Sequence, residues 1–296
     1  ALGVSRALMI IGQVALHQDR LPMARRALTD SLAFWRRQGE RKNAILCLLN
    51  LGRVHMLQGD YARATQLVEE GIAISQAVGD RHFAMVGLWT QAEVALLLDD
   101  LVAATAQFER CLAQAREFGD QYFEALTLSK LGLLALFRSD WDSAERRLYD
   151  SLTLAQQIGA GWCVADALGN LGLAALRQQN LVEADNLLRQ ALALFHEQGD
   201  RASTMGMLER LAATAVAQAQ PEHAARLLGT TAAWRIALDN PLPPLERAAY
   251  EPLVDKVRER LGERPFALAW AAGEARSLEE AVIAESSAPG DSVLGP

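Results

Sequence analysis

This 296-residue chain has three cysteines, almost no proline in its first 220 positions and no excess of basic residues. Each shortage removes a class of protein. Pro22, beside a turn, is the sole proline before Pro221, so little in that stretch interrupts a helix, and a long helical array tolerates the composition well. A formal charge of −7 and a pI near 5.4 exclude a nucleic-acid surface, which needs a basic stripe. Cys47, Cys111 and Cys163 share no paired spacing and each falls on an apolar stretch, which predicts buried thiols in a reducing compartment rather than a disulfide framework or a metal site. No apolar run is long enough to span a bilayer, and the first residues carry no signal-peptide pattern, so the expectation is a cytoplasmic segment without membrane contact.

Catalytic motifs are missing as well. His17, His55, His82, His196 and His223 show no HExxH spacing; His55 faces the repeat core by register and the others sit near turns or helix ends. There is no GxxxxGK and no GxGxxG after a strand, so nucleotide hydrolysis has no seat here. Acidic pairs such as Glu69-Glu70, Asp99-Asp100 and Glu279-Glu280 fall at turns, helix starts or solvent faces, where charge serves the helix dipole and solubility. The expectation is a chain with no enzymatic activity, no cofactor and no metal.

What the chain does have is a period of 40. Alanine recurs at Ala24, Ala64, Ala104, Ala144, Ala184 and Ala224, and leucine at Leu8, Leu48, Leu88, Leu128, Leu168 and Leu208. An apolar–small pair follows each leucine, as in Ile11-Gly12, Leu51-Gly52, Leu131-Gly132 and Leu171-Gly172, with Gln91-Ala92 the one departure. A glycine, usually followed by an acid, punctuates the units at Gly39, Gly79, Gly119, Gly159 and Gly199. Polar turns such as Asp19-Arg20, Gly59-Asp60 and Ser139-Asp140 lie midway between them. Between breaks the apolar spacing is helical: Ile45, Leu48, Leu49 and Gly52, then Ala64, Leu67, Val68, Gly71 and Ile72. Each unit therefore reads as a helical hairpin, with small residues such as Gly52 and Ala64 letting its two axes approach.

Beyond residue 240 the register changes. Asn240 and the prolines at 241, 243 and 244 end the last repeat helix, a helix from about Leu245 to Leu261 follows, a short apolar one carries Phe266 and Trp270, and Ser277 opens a final helix with Glu280 at capping-box spacing. These elements are read as a cap over the last hydrophobic face of the array. The expected organisation is six hairpins over 1–240, capping helices over 241–285 and a linker-like tail over 286–296. Ala1 stands where a first helix begins, which points to a segment of a longer polypeptide with material upstream.

The leucine, the leucine–glycine pair and the alanine twelve residues after that glycine, as in Gly52 with Ala64 and Val68 or Gly132 with Ala144 and Leu148, resemble tetratricopeptide repeats with longer helices than the common unit. That resemblance implies an all-α fold, a right-handed tetratricopeptide-like α-solenoid of six hairpins with a C-terminal helical cap. The stretch Ala224–Gly229, Trp234, Pro241–Pro244, Glu246-Arg247, Tyr250, Phe266, Trp270, Gly273 and Ser277–Ala281 resembles the C-terminal end of bacterial multidomain STAND-type signalling ATPases, LuxR-type or SARP-type transcriptional regulators and adenylate-cyclase-linked relatives. It implies a sensor region in a chain with an upstream nucleotide-binding switch domain, and a partner protein, peptide or small inducer as ligand. The groove-facing offsets of tetratricopeptide domains carry over to Asn50, Arg53, Trp89, Thr90, Glu93, Ser129, Lys130, Asp166, Asn170, Glu209 and Arg210, with Trp89 the one aromatic anchor. Asn50, Lys130, Asn170 and Arg210 share the offset that holds a ligand carboxylate in some tetratricopeptide domains, although the full clamp pattern is absent. A stand-alone scaffold or adaptor for protein assembly is the competing reading.

Overall fold

The computed structural model describes residues 2–18 and 20–286; Ala1, Asp19 of the first polar turn and 287–296 of the expected tail lie outside the described residues. The fold is all-α: fifteen helices, and no strand among the described residues. Twelve of them, nearly equal in length, are α1 (Leu2–His17), α2 (Leu21–Gln38), α3 (Arg41–Leu57), α4 (Tyr61–Ala77), α5 (Arg81–Leu97), α6 (Leu101–Phe118), α7 (Gln121–Phe137), α8 (Trp141–Gln157), α9 (Gly161–Arg177), α10 (Leu181–Glu197), α11 (Arg201–Ala217) and α12 (Pro221–Ala237). Three more follow: α13 (Pro244–Leu261), α14 (Glu263–Glu274) and α15 (Leu278–Ser286).

The local chemistry explains the regular lengths. From Gly39 to Asp239 a residue with positive φ recurs every twenty positions, and the next helix opens two residues later in the repeat region. Glycine fills this place at 39, 59, 79, 119, 159 and 199; Asp99, Ser139, Gln179, Ala219 and Asp239 adopt it without being glycine. The following acid caps the helix: the carboxylates of Asp60, Asp80, Asp100, Asp140 and Asp200 accept from the backbone N–H of Arg63, Phe83, Ala103, Ser143 and Ser203. A cap of this kind contributes about 1 kcal/mol. Both breaks of each hairpin from α3 to α12 thus use one geometry, although the sequence marks only some of them with glycine.

Packing explains the small residues. All six period-forming alanines are fully buried. A Cβ added to Gly52 would lie 2.5 Å from Val68 Cγ2, one on Gly132 2.6 Å from Leu148 Cγ, and one on Gly172 2.7 Å from Leu188 Cγ. The glycine of the first helix is therefore the hole into which the branched side chain four residues after the alanine fits.

The chain divides into two compact units. The first comprises residues 1–127 and 236–247. Its core joins Leu28, Leu32 and Trp35 of α2 to Cys47, Leu51 and Val54 of α3. Ser31 ties three helices together: its hydroxyl donates to the Ser5 carbonyl and accepts from Trp35 Nε1, and the Cys47 thiol lies 3.6 Å away. In the same unit the Pro241 ring lies against Gly59, and burial followed by the Glu246 charge pushes the Tyr61 phenol up.

The second unit comprises, among the described residues, 128–235 and 248–286. Here α13 presents Arg260, which donates to the Val216 carbonyl near the end of α11, and Tyr250, whose hydroxyl reaches the Leu228 carbonyl on α12. Where α12 crosses α14, a Cβ on Gly229 would fall on the Trp270 carbonyl and one on Gly273 on the Arg226 carbonyl. The capping box at the start of α15 forms: Ser277 N–H donates to Glu280, whose own N–H donates to Ser277 Oγ at 3.1 Å. At the other end of α15, Glu285 is 2 % exposed and pairs with Arg189 of α10 and His223 of α12.

Candidate functional site

Residues 40 apart occupy equivalent places on adjacent first helices, whose axes pack about 8–10 Å apart, so long polar side chains at those places meet. In the second unit they form a row. Lys130 Nζ lies 2.9 Å from Asp166 Oδ1 and the Ser129 hydroxyl donates to Asp166 Oδ2 at 2.6 Å. Asn170 donates to Ser129 Oγ at 3.0 Å and accepts from Arg210 Nη1 at 3.1 Å; the same guanidinium nitrogen donates to the Gly169 carbonyl at 2.7 Å. Five of the eleven expected residues are thereby joined across α7, α9 and α11. The Lys130 and Asp166 side chains are each 13 % exposed, so their pairing is shielded from bulk water on most sides. Glu209 is engaged separately, through a two-pronged pair with Arg235 of α12 at 2.8 and 2.9 Å.

Three residues that the sequence reading missed complete this row. Trp162 places its ring 5.6 Å from the Lys130 ammonium and donates from Nε1 to Asp200 Oδ2, the acid that caps α11. Gly169 is the third: a Cβ there would come within 3.4 Å of Arg210 Nη1 and closer still to Met207, so the missing side chain lets Arg210 reach the main chain. Its signal in the sequence is a glycine at the offset where Trp89, Ser129 and Glu209 stand in other repeats.

The first unit treats its candidates differently. Trp89 is 6 % exposed, set edge-on to Phe108 and Phe123 with centroids 6.0 and 6.2 Å away. Its place is in the core, and its Nε1 is buried with no hydrogen-bond partner among the described residues. Thr90 is buried and donates to the Val86 carbonyl; half-buried Asn50 donates to the Leu46 carbonyl; both bonds turn back onto their own helices. Arg53 and Glu93 are half-buried, and Arg53 Nε has no hydrogen-bond partner among the described residues.

The cysteines and His55 lie in packed surroundings. Cys47, Cys111 and Cys163 are buried and free, and burial pushes the Cys111 thiol up to about 12, where it stays protonated. His55 Nδ1 lies 3.2 Å from Asp60 Oδ2, and burial lowers its pKa despite that carboxylate. Among the described residues no cluster of three metal-ligating side chains occurs, and no helix is long and apolar enough to cross a membrane.

A tetratricopeptide-repeat family model matches residues 3–77 and a second one matches residues 164–198. The hairpins within these two stretches match tetratricopeptide repeats. Such repeats generally mediate protein–protein interaction and are typically non-catalytic. No curated protein sequence matches the chain at significant similarity. Among solved structures, the fold is similar to that of a signal transduction ATPase with numerous domains (STAND) that has a tetratricopeptide repeat sensor, from Pyrococcus horikoshii, with a TM-score of 0.56 and 16% identity. The match covers 97% of this chain but only 44% of that protein. BtubC from P. vanneervenii is similar over 75% of this chain and 94% of its own, with a TM-score of 0.53 and 18% identity.

Proposed function

We propose that this chain is the non-catalytic, ligand-binding sensor segment of a larger bacterial signal-transduction or transcriptional regulator acting in the cytoplasm. Residues 1–240 form the sensing array and 241–285 cap it. The row from Lys130 through Asp166, Ser129 and Asn170 to Arg210 carries the reading, because charged and amide groups are held part-buried along consecutive repeats at offsets where partner segments dock. Its occupant is a partner protein, a peptide or a small inducer whose acceptor groups meet Lys130 and Arg210. Asn50, Arg53, Thr90, Glu93 and Glu209 extend the contact surface, while Trp89 acts by holding its helix in place. An upstream nucleotide-binding switch domain reads occupancy, since a ligand that binds two states of the array unequally shifts their populations. This segment itself makes no nucleic-acid contact. The likeness to a STAND protein with a tetratricopeptide repeat sensor supports the assignment.

A stand-alone scaffold is the second reading, favoured by the match that spans 94% of BtubC. A pool of synthetic peptides with free C-termini, an amidated copy of that pool and a panel of small organic acids would be passed over the immobilised chain, and over Lys130→Glu, Arg210→Glu and Arg36→Glu variants. Retention that falls tenfold in the first two variants and holds in the third supports the row as the site; a tenfold loss corresponds to about 1.4 kcal/mol. Equal retention by all four proteins removes it. Nucleotide-dependent retention by the parent protein separates sensor from scaffold.

A further inference from the structure

The outer face of α1 has the composition of a covered face and nothing covering it among the described residues. On α3 the corresponding residues are Ala44, Cys47, Leu51 and Val54, each at most 5 % exposed and gathered with Leu28, Leu32 and Trp35 of α2 into one core. Forty residues earlier stand Val4, Ala7, Ile11 and Val14, at the same spacing and with the same apolar character. Yet Val4 is 62 %, Ile11 40 % and Val14 48 % exposed, and Ala7 is exposed too. At the last three of these offsets Ala167, Leu171 and Ala174 on α9, and Met207, Leu211 and Thr214 on α11, are buried as well, whereas α5 places the half-buried polar Gln91 at one of them. In a soluble array a helix is spared polar residues on one side when another helix lies over it.

The opposite end decides what kind of helix that is. The face that α2 turns toward α3 includes Leu28 and Ser31, and its equivalent on α12 includes Leu228 and Thr231. That face is already taken, because Tyr250 of α13 bonds the Leu228 carbonyl and the Thr231 side chain. A second copy stacked head to tail would have to offer α12 in this role. It has no such face to offer.

We infer that the Val4–Ala7–Ile11–Val14 face of α1 is the docking surface for the second helix of a further tetratricopeptide hairpin, carried upstream in the parent polypeptide and bearing apolar and small side chains of the Leu28, Ser31, Leu32 and Trp35 kind. This rests on the reading of the chain as part of a larger protein, and it identifies α1 as the joint through which the sensing array is rigidly attached to what precedes it. A docked hairpin passes a rearrangement of the array upstream as a rigid element, which a flexible tether does not do.

Thiol labelling tests the inference. Val14→Cys would be introduced into the 296-residue chain and into the parent protein, where the buried Cys47, Cys111 and Cys163 supply a slow background. Labelling is expected to be fast and independent of protein concentration in the 296-residue chain, and at least tenfold slower in the parent. As a second readout, Ile11→Glu is expected to lower the melting temperature of the parent while leaving that of the 296-residue chain unchanged. Equal labelling rates in both proteins, protection in the 296-residue chain that grows with its concentration, or a parent without a hairpin upstream would each overturn the inference. A parent that protects position 14 but carries no nucleotide-binding domain would leave the docking surface standing and remove the sensor reading.

Discussion

Gly229 and Gly273 face each other's helices where α12 and α14 cross, and each would drive a Cβ into the opposite main chain, onto the carbonyls of Trp270 and Arg226. Neither carbonyl is the far end of a flexible side chain, so the helices themselves would have to separate. Thr230, which donates to the Gly273 carbonyl at 2.9 Å, would lose that bond as they did. Gly229→Ala is expected to destabilise the chain by about 1–3 kcal/mol, read as a lowered urea midpoint. Gly206→Ala is the counterpart: on α11 an added Cβ meets nothing within 4 Å, so the change should raise stability by roughly 0.5–1 kcal/mol through helix propensity.

Ala219 holds φ at 61° in the turn between α11 and α12. An L-residue with a Cβ and no polar side chain costs about 1–2 kcal/mol in that conformation. Glycine removes the cost and returns part of the gain as greater freedom of the unfolded chain. Ala219→Gly is expected to stabilise by about 0.5–1 kcal/mol in the same urea assay, whereas Gly199→Ala, at φ 72°, should destabilise.

Burial pushes the Glu285 carboxyl up, but hydrogen bonding and charge from His223, followed by Arg189, more than offset it and hold the group below its ordinary 4.5. Asp185, bonded to the same guanidinium, completes the charged surroundings. A carboxylate held low in the folded state stabilises at pH above its unfolded value, and that contribution is lost as pH falls through the lowered one. The docking of α15 on α10 should therefore weaken below about pH 4.5. Hydrogen exchange of α15 amides measured from pH 6 to pH 3 would report it, and Glu285→Gln should flatten the profile while loosening α15 at neutral pH.

Asp166 accepts from both Lys130 and Ser129, so Asp166→Ala removes two charge-assisted bonds together. The expected cost is about 1–3 kcal/mol of stability, measured by thermal unfolding. Asp166→Asn keeps the volume and removes the charge that competes for the ammonium. Peptides with a free C-terminal carboxylate should then be retained more strongly than by the unmodified chain.

Most of the array is written in the sequence because its packing tolerates few residue types. Ala24 and its five equivalents recur since a larger side chain does not fit at full burial, and Gly52 and Gly132 recur since Val68 and Leu148 fill the space that their side chains would take. The capping box of Ser277 and Glu280 was legible for a similar reason, being a local bond set by spacing. Burial of Trp89 was not legible. Its offset is shared with Ser129 and Glu209, and only the three-dimensional closure of Phe108 and Phe123 turns an expected anchor into core. The Gly229–Gly273 crossing and the pairing of Glu285 with Arg189 lie outside the 40-residue register, so no periodicity announces them. Of the site residues, those whose side chains reach equivalents on the next repeat could be found by offset, while Trp162 and Gly169 act through a ring and an absence.

The evenly phased left-handed residues also govern how such a chain gains and loses length. A cut after Asp80 and another after Asp120 excise one whole hairpin and rejoin a glycine–aspartate turn to the helix that starts at Gln121, with the capping carboxylate still three residues before the backbone N–H that donates to it. Loss of a single residue inside a helix instead rotates everything after it by about 100°, and carries the buried alanine off its seat. Inheritance can therefore trim or extend the array in steps of forty with little penalty, and is held to that step by the geometry of its turns.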